Sequence, residues 1–455
     1  MRITRTAHTT HDAQTFVSGG ALHALAARFD GWLRTATAVV LLSVVAACGG
    51  GGGDSNSSSS SNSSVNTDGL PASPTAQPIA AGAANTVAVT VGAGLSGVVN
   101  IPTVSVTICA PGSTTNCQTI DNIQVDTGSY GLRIVGSVLN STLSGAMPVN
   151  AAPNVSSAQL AECTRFADGY SWGTIRNATV KIGGETASTI PIQLIGDLAS
   201  STIPTSGCIN GSSENTVSDL GANGILGIGV APYDCGTTCQ SASTAATYSN
   251  YYACPTSGAA CSRTAVPTGQ QVANPVAHFT TDNNGVILQM SPVSNAGSAG
   301  ATGTLVFGIG TQSNNALAAA NVFNTDSYGD MNSSTFNGSK VTAFLDSGSN
   351  GYFFSDSTLT LCSSNYSGFY CPSSSQTRTV TLVGTGGNSL AAQIGIANAQ
   401  SLFRSGNNNY AFNDLAGQLS TTGIFDLGLP YFYGRYVYYG MDQTASGGQS
   451  PYVAF

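Results

Sequence analysis

Two short segments carry the residue types best suited to chemistry. Val125-Asp126-Thr127-Gly128-Ser129 and Leu345-Asp346-Ser347-Gly348-Ser349 each set an acidic residue after apolar ones and before Ser/Thr-Gly-Ser. Two carboxyl groups brought together cannot both ionise cheaply, so one keeps a proton while the other stays charged. Such a pair is an acid and a base in one site, which is the equipment for splitting an amide with water. One Asp-Thr-Gly-Ser string alone would be ordinary turn chemistry. Here Asp126 follows Asp121-Asn-Ile-Gln-Val125 and Asp346 follows Val341-Thr-Ala-Phe-Leu345, so each carboxylate sits where an apolar strand gives way to a tight turn. Thr127 and Ser347 are expected to hydrogen-bond across to the opposite loop. Ser129 and Ser349 are expected to reach the carboxylates, with Gly128 and Gly348 completing the two loops.

The elements that must position these loops read as strands. Val87, Val89 and Val91 alternate with small residues, as do Val104, Val106 and Ile108, and Thr179-Val-Lys-Ile182 ends at Gly183-Gly184. Later runs at Gly285–Gln289, Gly303–Phe307 and Tyr436–Tyr439 have the same character. Helical period is confined to short stretches near Ala316 to Val322 and Asn398 to Phe403. The class is all-β. The doubling of the Asp motif predicts two lobes of related design, with one Asp from each meeting in a cleft between them. A Gly/Ser/Ala stretch at Ser294 to Gly303 is the natural seam.

Composition excludes several classes of function. The chain carries 13 Lys and Arg against 21 Asp and Glu, and only 7% of its residues are charged. Lys181 and Lys340 are its only lysines. Nucleic acid is therefore not an expected partner. Of the histidines, His8, His11 and His23 lie in the leader, which leaves His278 as the only imidazole for a Ser-His or Cys-His mechanism, and no nucleophile motif adjoins it. His278 reads as a packed or surface residue. No metal or cofactor is expected.

The amino terminus reads as a processing segment. An apolar run from Ala38 to Ala47 is too short to span a bilayer and ends in small residues. Val45-Ala46-Ala47-Cys48 resembles the bacterial lipobox, in which the cysteine becomes the lipidated first residue. Residues 1–47 are then a signal peptide and Cys48 a membrane anchor. Gly49 at the next position favours the outer membrane over the inner one. Residues 48–84 are Gly, Ser, Asn, Ala and Pro with almost no large apolar side chain, so they read as a flexible tether with a reach of about 30 to 35 Å.

With Cys48 set aside, ten cysteines remain, an even number suited to disulfides in an exported chain. Cys109 with Cys117, and Cys362 with Cys371, are close enough to close small loops, while Cys163 with Cys208 would bridge a longer excursion. Cys235, Cys239, Cys254 and Cys261 form two further bridges whose connectivity stays open.

In its motifs and their order the chain resembles the pepsin-like aspartic proteases. Beyond the two Asp triads, Asn223-Gly-Ile-Leu-Gly-Ile-Gly229 and Phe425-Asp-Leu-Gly-Leu-Pro-Tyr-Phe432 look like the apolar-apolar-Gly elements that thread beside each catalytic loop. Phe166-Ala-Asp-Gly-Tyr-Ser-Trp-Gly173 looks like the flap hairpin, which makes Phe166, Asp168, Gly169, Tyr170 and Trp172 flap residues. The run from Phe425 to the terminal Tyr-Val-Ala-Phe also resembles an uncharacterised family of bacterial lipoproteins distantly related to these proteases. The resemblance implies a bilobal double β-barrel, an amino-terminal lobe over 85–295 and a carboxy-terminal lobe over 296–455. It implies a monomeric, lipid-anchored endopeptidase that takes extended peptides, with Asp126 and Asp346 catalytic. The alternative is a peptide- or protein-binding lipoprotein without turnover.

Two departures from the protease pattern stand out. The flap tyrosine falls on Phe166, and the tryptophan that usually partners it falls on Arg133. Tyr170 and Trp172 could act as substitutes from within the flap. Asp168 and Asp426 read as structural or solvated.

Overall fold

The computed structural model describes residues 67–455 apart from 259, 364–365 and 406–407. The leader, Cys48 and the tether as far as residue 66 lie outside the described residues. From Thr67 onward the molecule is bilobal and all-β. Six strands of the first lobe close on themselves. Pro102–Cys109 pairs with Cys117–Asp126, which runs parallel to Gly224–Ile228. That strand pairs with Tyr130–Val135, then come Glu185–Ile195 and Gly169–Ile182, and the last returns to Pro102–Cys109. Alternation does the sorting: Val104, Val106 and Ile108 point into the barrel and are buried, while Ser105 between them is exposed.

The second lobe is a curled sheet. Its order is Ser389–Ile396, Gln376–Val383, Met331–Phe336, Ser339–Asp346, Ile424–Gly428, Tyr352–Phe354 and Ala416–Gln418. One continuous sheet joins the lobes, because Thr86–Val91 pairs with Ala301–Phe307, which pairs with Gly285–Met290 and through it with Tyr436–Gly440. The stretch from Ser294 to Gly303 is hydrogen-bonded into the molecule, with Ser298 bridged to Ala411.

Two expectations about local structure need revision. Ala316 to Val322 contains no helix; Leu317 there is exposed, and the segment runs past Tyr438, whose hydroxyl contacts both Ala316 O and Ala318 N. A helix this short with no apolar stripe gains too little to nucleate. The Asn398 to Phe403 run does form a helix, Ala399–Ser405. The tether, expected to reach residue 84, is docked from Thr67 onward. Ala76 N–H donates to Gly434 O at 3.0 Å, Ile79 N–H to Gln289 Oε1 at 2.9 Å, and Asn413 Nδ2 to Ser73 Oγ at 2.8 Å. Low apolar content hid this, because only Leu70 and Ile79 pack against core clusters and hydrogen bonds add the rest.

Five disulfides tie the described residues, which marks a chain matured in an oxidising compartment. Cys109–Cys117, Cys163–Cys208 and Cys362–Cys371 pair as expected, and the open cluster resolves into Cys235–Cys239 and Cys254–Cys261. The reason is local. Ala253 pairs with Ser262 across a short hairpin, which brings Cys254 and Cys261 face to face. Among the described residues no helix is long and apolar enough to cross a membrane. Cys163–Cys208 spans the longest loop, a sequence separation of 45. Replacing both cysteines by Ser is expected to lower unfolding free energy by about 2 to 4 kcal/mol, read from urea melts of the two forms.

Candidate active site

Each Asp sits at the end of its strand for the same topological reason. Cys117–Asp126 lies parallel to Gly224–Ile228 with Asp126 opposite Gly227, and the returning strand Tyr130–Val135 lies antiparallel on the other side. In the second lobe Ser339–Asp346 lies parallel to Ile424–Gly428 with Asp346 opposite Gly428, flanked by the returning Tyr352–Phe354. Glycine is required where the strands cross. A Cβ on Gly227 would fall 2.6 Å from Tyr130 N, and one on Gly428 would fall 2.1 Å from Gly351 O.

The two loops clasp each other reciprocally. Thr127 N–H donates to Ser347 Oγ at 3.1 Å, and Ser347 N–H donates to Thr127 Oγ1 at 2.9 Å. The hydroxyls then donate onward, Ser347 Oγ to Val125 O at 2.8 Å and Thr127 Oγ1 to Leu345 O at 3.4 Å. Gln124 Nε2 adds a bond to Gly348 O at 3.0 Å. All these side chains are buried, so each lost partner leaves a desolvated polar group. Thr127→Val and Ser347→Ala are each expected to destabilise by about 1 to 3 kcal/mol, and a double-mutant cycle in urea should show the pair costing less than the sum.

This clasp brings the carboxyls together. Gly128 N–H donates to Asp126 Oδ1 at 2.9 Å and Ser129 Oγ to Asp126 Oδ2 at 2.5 Å. Gly348 N–H donates to Asp346 Oδ1 at 2.8 Å, and Ser349 Oγ lies 2.9 Å from Asp346 Oδ2. The glycines permit the approach: a Cβ on Gly128 would meet Asp346 Cγ at 2.6 Å, and one on Gly348 would meet Asp126 Oδ1 at 2.6 Å. Burial pushes the Asp346 carboxyl well above the usual carboxylate range, with the Asp126 charge, a charge on Asp426 whenever that group is ionised, and a hydrogen bond to Asp126 acting the same way. Ser349 opposes that shift. The two carboxyls are close enough to share one proton.

One carboxyl in the site escaped the reading of the sequence. Asp426, expected to be structural or solvated, is 0% exposed, and its Oδ2 lies 2.6 Å from Ser349 Oγ. Strand alternation puts position 426 on the same face as 428, and Gly428 is the residue opposite Asp346. A charged residue inside an otherwise apolar strand was the available signal. Tyr439 is a second addition; its hydroxyl donates to Leu345 O at 2.9 Å, and burial pushes that hydroxyl well up, opposed by a hydrogen bond with Thr127 and aided by the nearby carboxyl groups.

The hairpin read as a flap is built into the wall of its lobe. Ala158–Arg165 pairs with Gly169–Ile182 on one edge and with Tyr251–Pro255 on the other. At the tip, Ser212 N–H donates to Asp168 O at 3.0 Å, and Gly169 lies so close to Ser212 O that a Cβ would come within 2.4 Å. Cys163–Cys208 straps the same region. Phe166 packs with Val135, Ile195, Leu220 and Ile225. Trp172 stacks edge-on with Tyr252 at 5.5 Å between ring centroids and donates from Nε1 to Thr202 Oγ1 at 3.0 Å, and Tyr170 shares that cluster. Both aromatics pack within the hairpin.

Arg133 takes over the connection. Its guanidinium donates to Glu162 Oε1 at 2.7 Å, Thr164 Oγ1 at 2.8 Å, Asp234 Oδ2 at 3.0 Å and Tyr130 O at 2.7 Å. Burial would lower the Arg133 pKa, but Glu162 and Asp234 outweigh it and hold the group charged. Asp234 is pushed well above the carboxylate range by burial and then by Glu162, against Arg133 and the Tyr251 hydroxyl. The hairpin is thus fastened, through its Glu162 and Thr164, to the strand that follows Asp126. His278, as expected, is a packing residue: it meets the Tyr233 ring at 5.7 Å, and burial lowers its pKa.

Comparisons with known proteins bear on family and not on activity. No curated protein matches the chain. Among solved structures, the chain is similar to an aspartic proteinase from Irpex lacteus at 17% identity, covering 82% of this chain and 97% of that one with a TM-score of 0.42. A family model described as protein of unknown function (DUF3443) matches residues 81–455. That match takes in both lobes and both Asp loops, and the chain belongs to the DUF3443 family.

Proposed function

We propose that this protein is an aspartic endopeptidase of the bacterial cell envelope. The observation that carries the reading is the pair Asp126 and Asp346, each held by a Gly N–H and a Ser hydroxyl on two loops that clasp one another. In the reaction Asp126 takes a proton from a water whose oxygen adds to the scissile carbonyl carbon, while the proton on Asp346 passes to the carbonyl oxygen. Collapse of the tetrahedral species breaks the C–N bond as the proton held by Asp126 goes to the leaving amine, and one hydroxyl of the gem-diol returns its proton to Asp346, which leaves a carboxylic acid and restores the pair. The substrate lies extended, bound through backbone hydrogen bonds. The surrounding proposal is an anchor at Cys48, a short tether, a monomeric body and a station at the outer membrane, with no nucleic-acid partner.

A second reading, a binding lipoprotein without turnover, is favoured by one observation. Asp126, Asp346 and Ser129 are all 0% exposed, and the Tyr130 hydroxyl bonds to the carbonyl of Tyr328 from the other lobe. Peptide access requires those inter-lobe contacts to part. A statine-type inhibitor, whose hydroxyl imitates the tetrahedral species, separates the two readings. The peptidase reading expects one inhibitor bound per chain and a rise in Tm that Asp346→Asn removes. A folded wild type with no Tm shift at any pH supports the binding module.

A further inference from the structure

We propose that Asp426 is a third carboxyl of the centre, which holds a proton and donates it to Ser349 so that the single Ser349 hydrogen is fixed toward Asp346. The geometry is a matter of counting hydrogens. Ser349 Oγ lies within bonding distance of two carboxyl oxygens, Asp346 Oδ2 at 2.9 Å and Asp426 Oδ2 at 2.6 Å. A serine hydroxyl has one hydrogen to give. If both carboxyls were ionised, one of the two contacts would set lone pairs against each other in a site from which water is excluded, since Asp346, Ser349 and Asp426 are all 0% exposed. One carboxyl must therefore be the donor. Asp346 already shares its proton with Asp126 through their mutual hydrogen bond. The second proton falls to Asp426.

The centre then carries two protons on three carboxyls and a single negative charge, on the Asp126 side. Asp426 acts as a positioning residue. It orients Ser349, and by staying neutral it keeps a second negative charge away from Asp346. The titratable groups that act on it are Asp346 from the neighbouring loop and the Tyr439 hydroxyl from the Tyr436–Gly440 strand. On its own strand pair it lies beside Phe344 and Phe353. Loss of the Asp426 proton at higher pH would turn the Ser349 hydrogen away from Asp346 and place two like charges in contact. That event sets the upper pH limit of the site.

The proton assignment stands on geometry, while its effect on turnover rests on the peptidase reading, so the test has two arms. Infrared difference spectra of wild type against Asp426→Asn, at a pH where ordinary carboxylates are ionised, read the C=O stretch of a protonated carboxyl. Other buried acids such as Asp414 cancel in the difference. The expected result is one protonated-carboxyl band lost in Asp426→Asn and the same band displaced in Ser349→Ala. Identical spectra in that region overturn the proposal, and should Asp426→Asn fail to fold, an undisplaced band in Ser349→Ala overturns it equally. In the second arm the upper limb of the kcat/KM profile is expected to move up by about 1 pH unit in Asp426→Asn, whatever the fall in kcat. An unmoved limb overturns the positioning role. A wild type that cuts no peptide defeats the peptidase reading and leaves the infrared arm to decide the proton.

Discussion

Replacing Asp126 or Asp346 by Asn is expected to lower kcat/KM for a peptide by about 1000-fold, because either change removes the acid–base pair and leaves only binding. The same substitutions should leave the fold standing. Asn matches Asp in size, and its oxygen can still accept the Gly128 or Gly348 N–H that now reaches Oδ1. The stability sign is informative. Asp346 has its pKa raised in the fold, so its contribution to stability is full below the unfolded carboxylate range and is lost as pH rises through the raised value. Above that range Asp346→Asn avoids ionising a buried group, and its Tm should equal or exceed that of wild type. A residue whose removal abolishes turnover without lowering stability is held for function. Thermal melts at acid and neutral pH, run beside the rate assays, check both halves.

The largest stability effect is expected at Arg133. Arg133→Met keeps much of the side-chain volume but leaves Glu162 and Asp234 buried without their cation, a change expected to cost about 3 to 5 kcal/mol. Urea unfolding measures it. Adding Glu162→Gln and Asp234→Asn to Arg133→Met should recover a large part of the loss, since the penalty comes from stranded charge and not from lost packing. If Arg133→Met alone is neutral, the cluster does not hold the hairpin. Its place in the fold gives the effect a functional edge. Arg133 lies on the strand that returns from the Asp126 loop, and its partners lie on the hairpin and beside the Cys235–Cys239 turn. Loosening it should therefore disturb turnover as well as stability.

Much of this was legible in the residues. The alternation at Val104, Val106 and Ile108 and the paired Asp loops set the class, the two lobes and the meeting of the carboxyls, because strand period and turn chemistry act locally. The clasp between Thr127 and Ser347 was legible for the same reason, since each loop supplies what the other lacks. Asp426 was not legible as part of the site. Beside Gly428 it looks like a turn residue, and only the parallel register with Ser339–Asp346 sets it against Ser349. Arg133 looked like a loss, and only the fold brings Glu162, Thr164 and Asp234 to it from distant positions. Sequence shows the hairpin's turn but not the strand Tyr251–Pro255 on its outer edge. The docked segment from Thr67 was missed because composition reports apolar burial and says little about hydrogen bonds to Gly434 or Gln289.

The most direct measurement is cleavage of a diverse peptide library by the purified protein in ¹⁸O-labelled water, from acid to neutral pH. The dyad predicts internal cuts with one ¹⁸O in each new carboxyl terminus, because the attacking oxygen comes from water, and no cuts once Asp126 or Asp346 is replaced by Asn. A library left intact by a fully folded wild type, or cuts that persist in both variants, would contradict the claim that these two carboxyls are a catalytic pair.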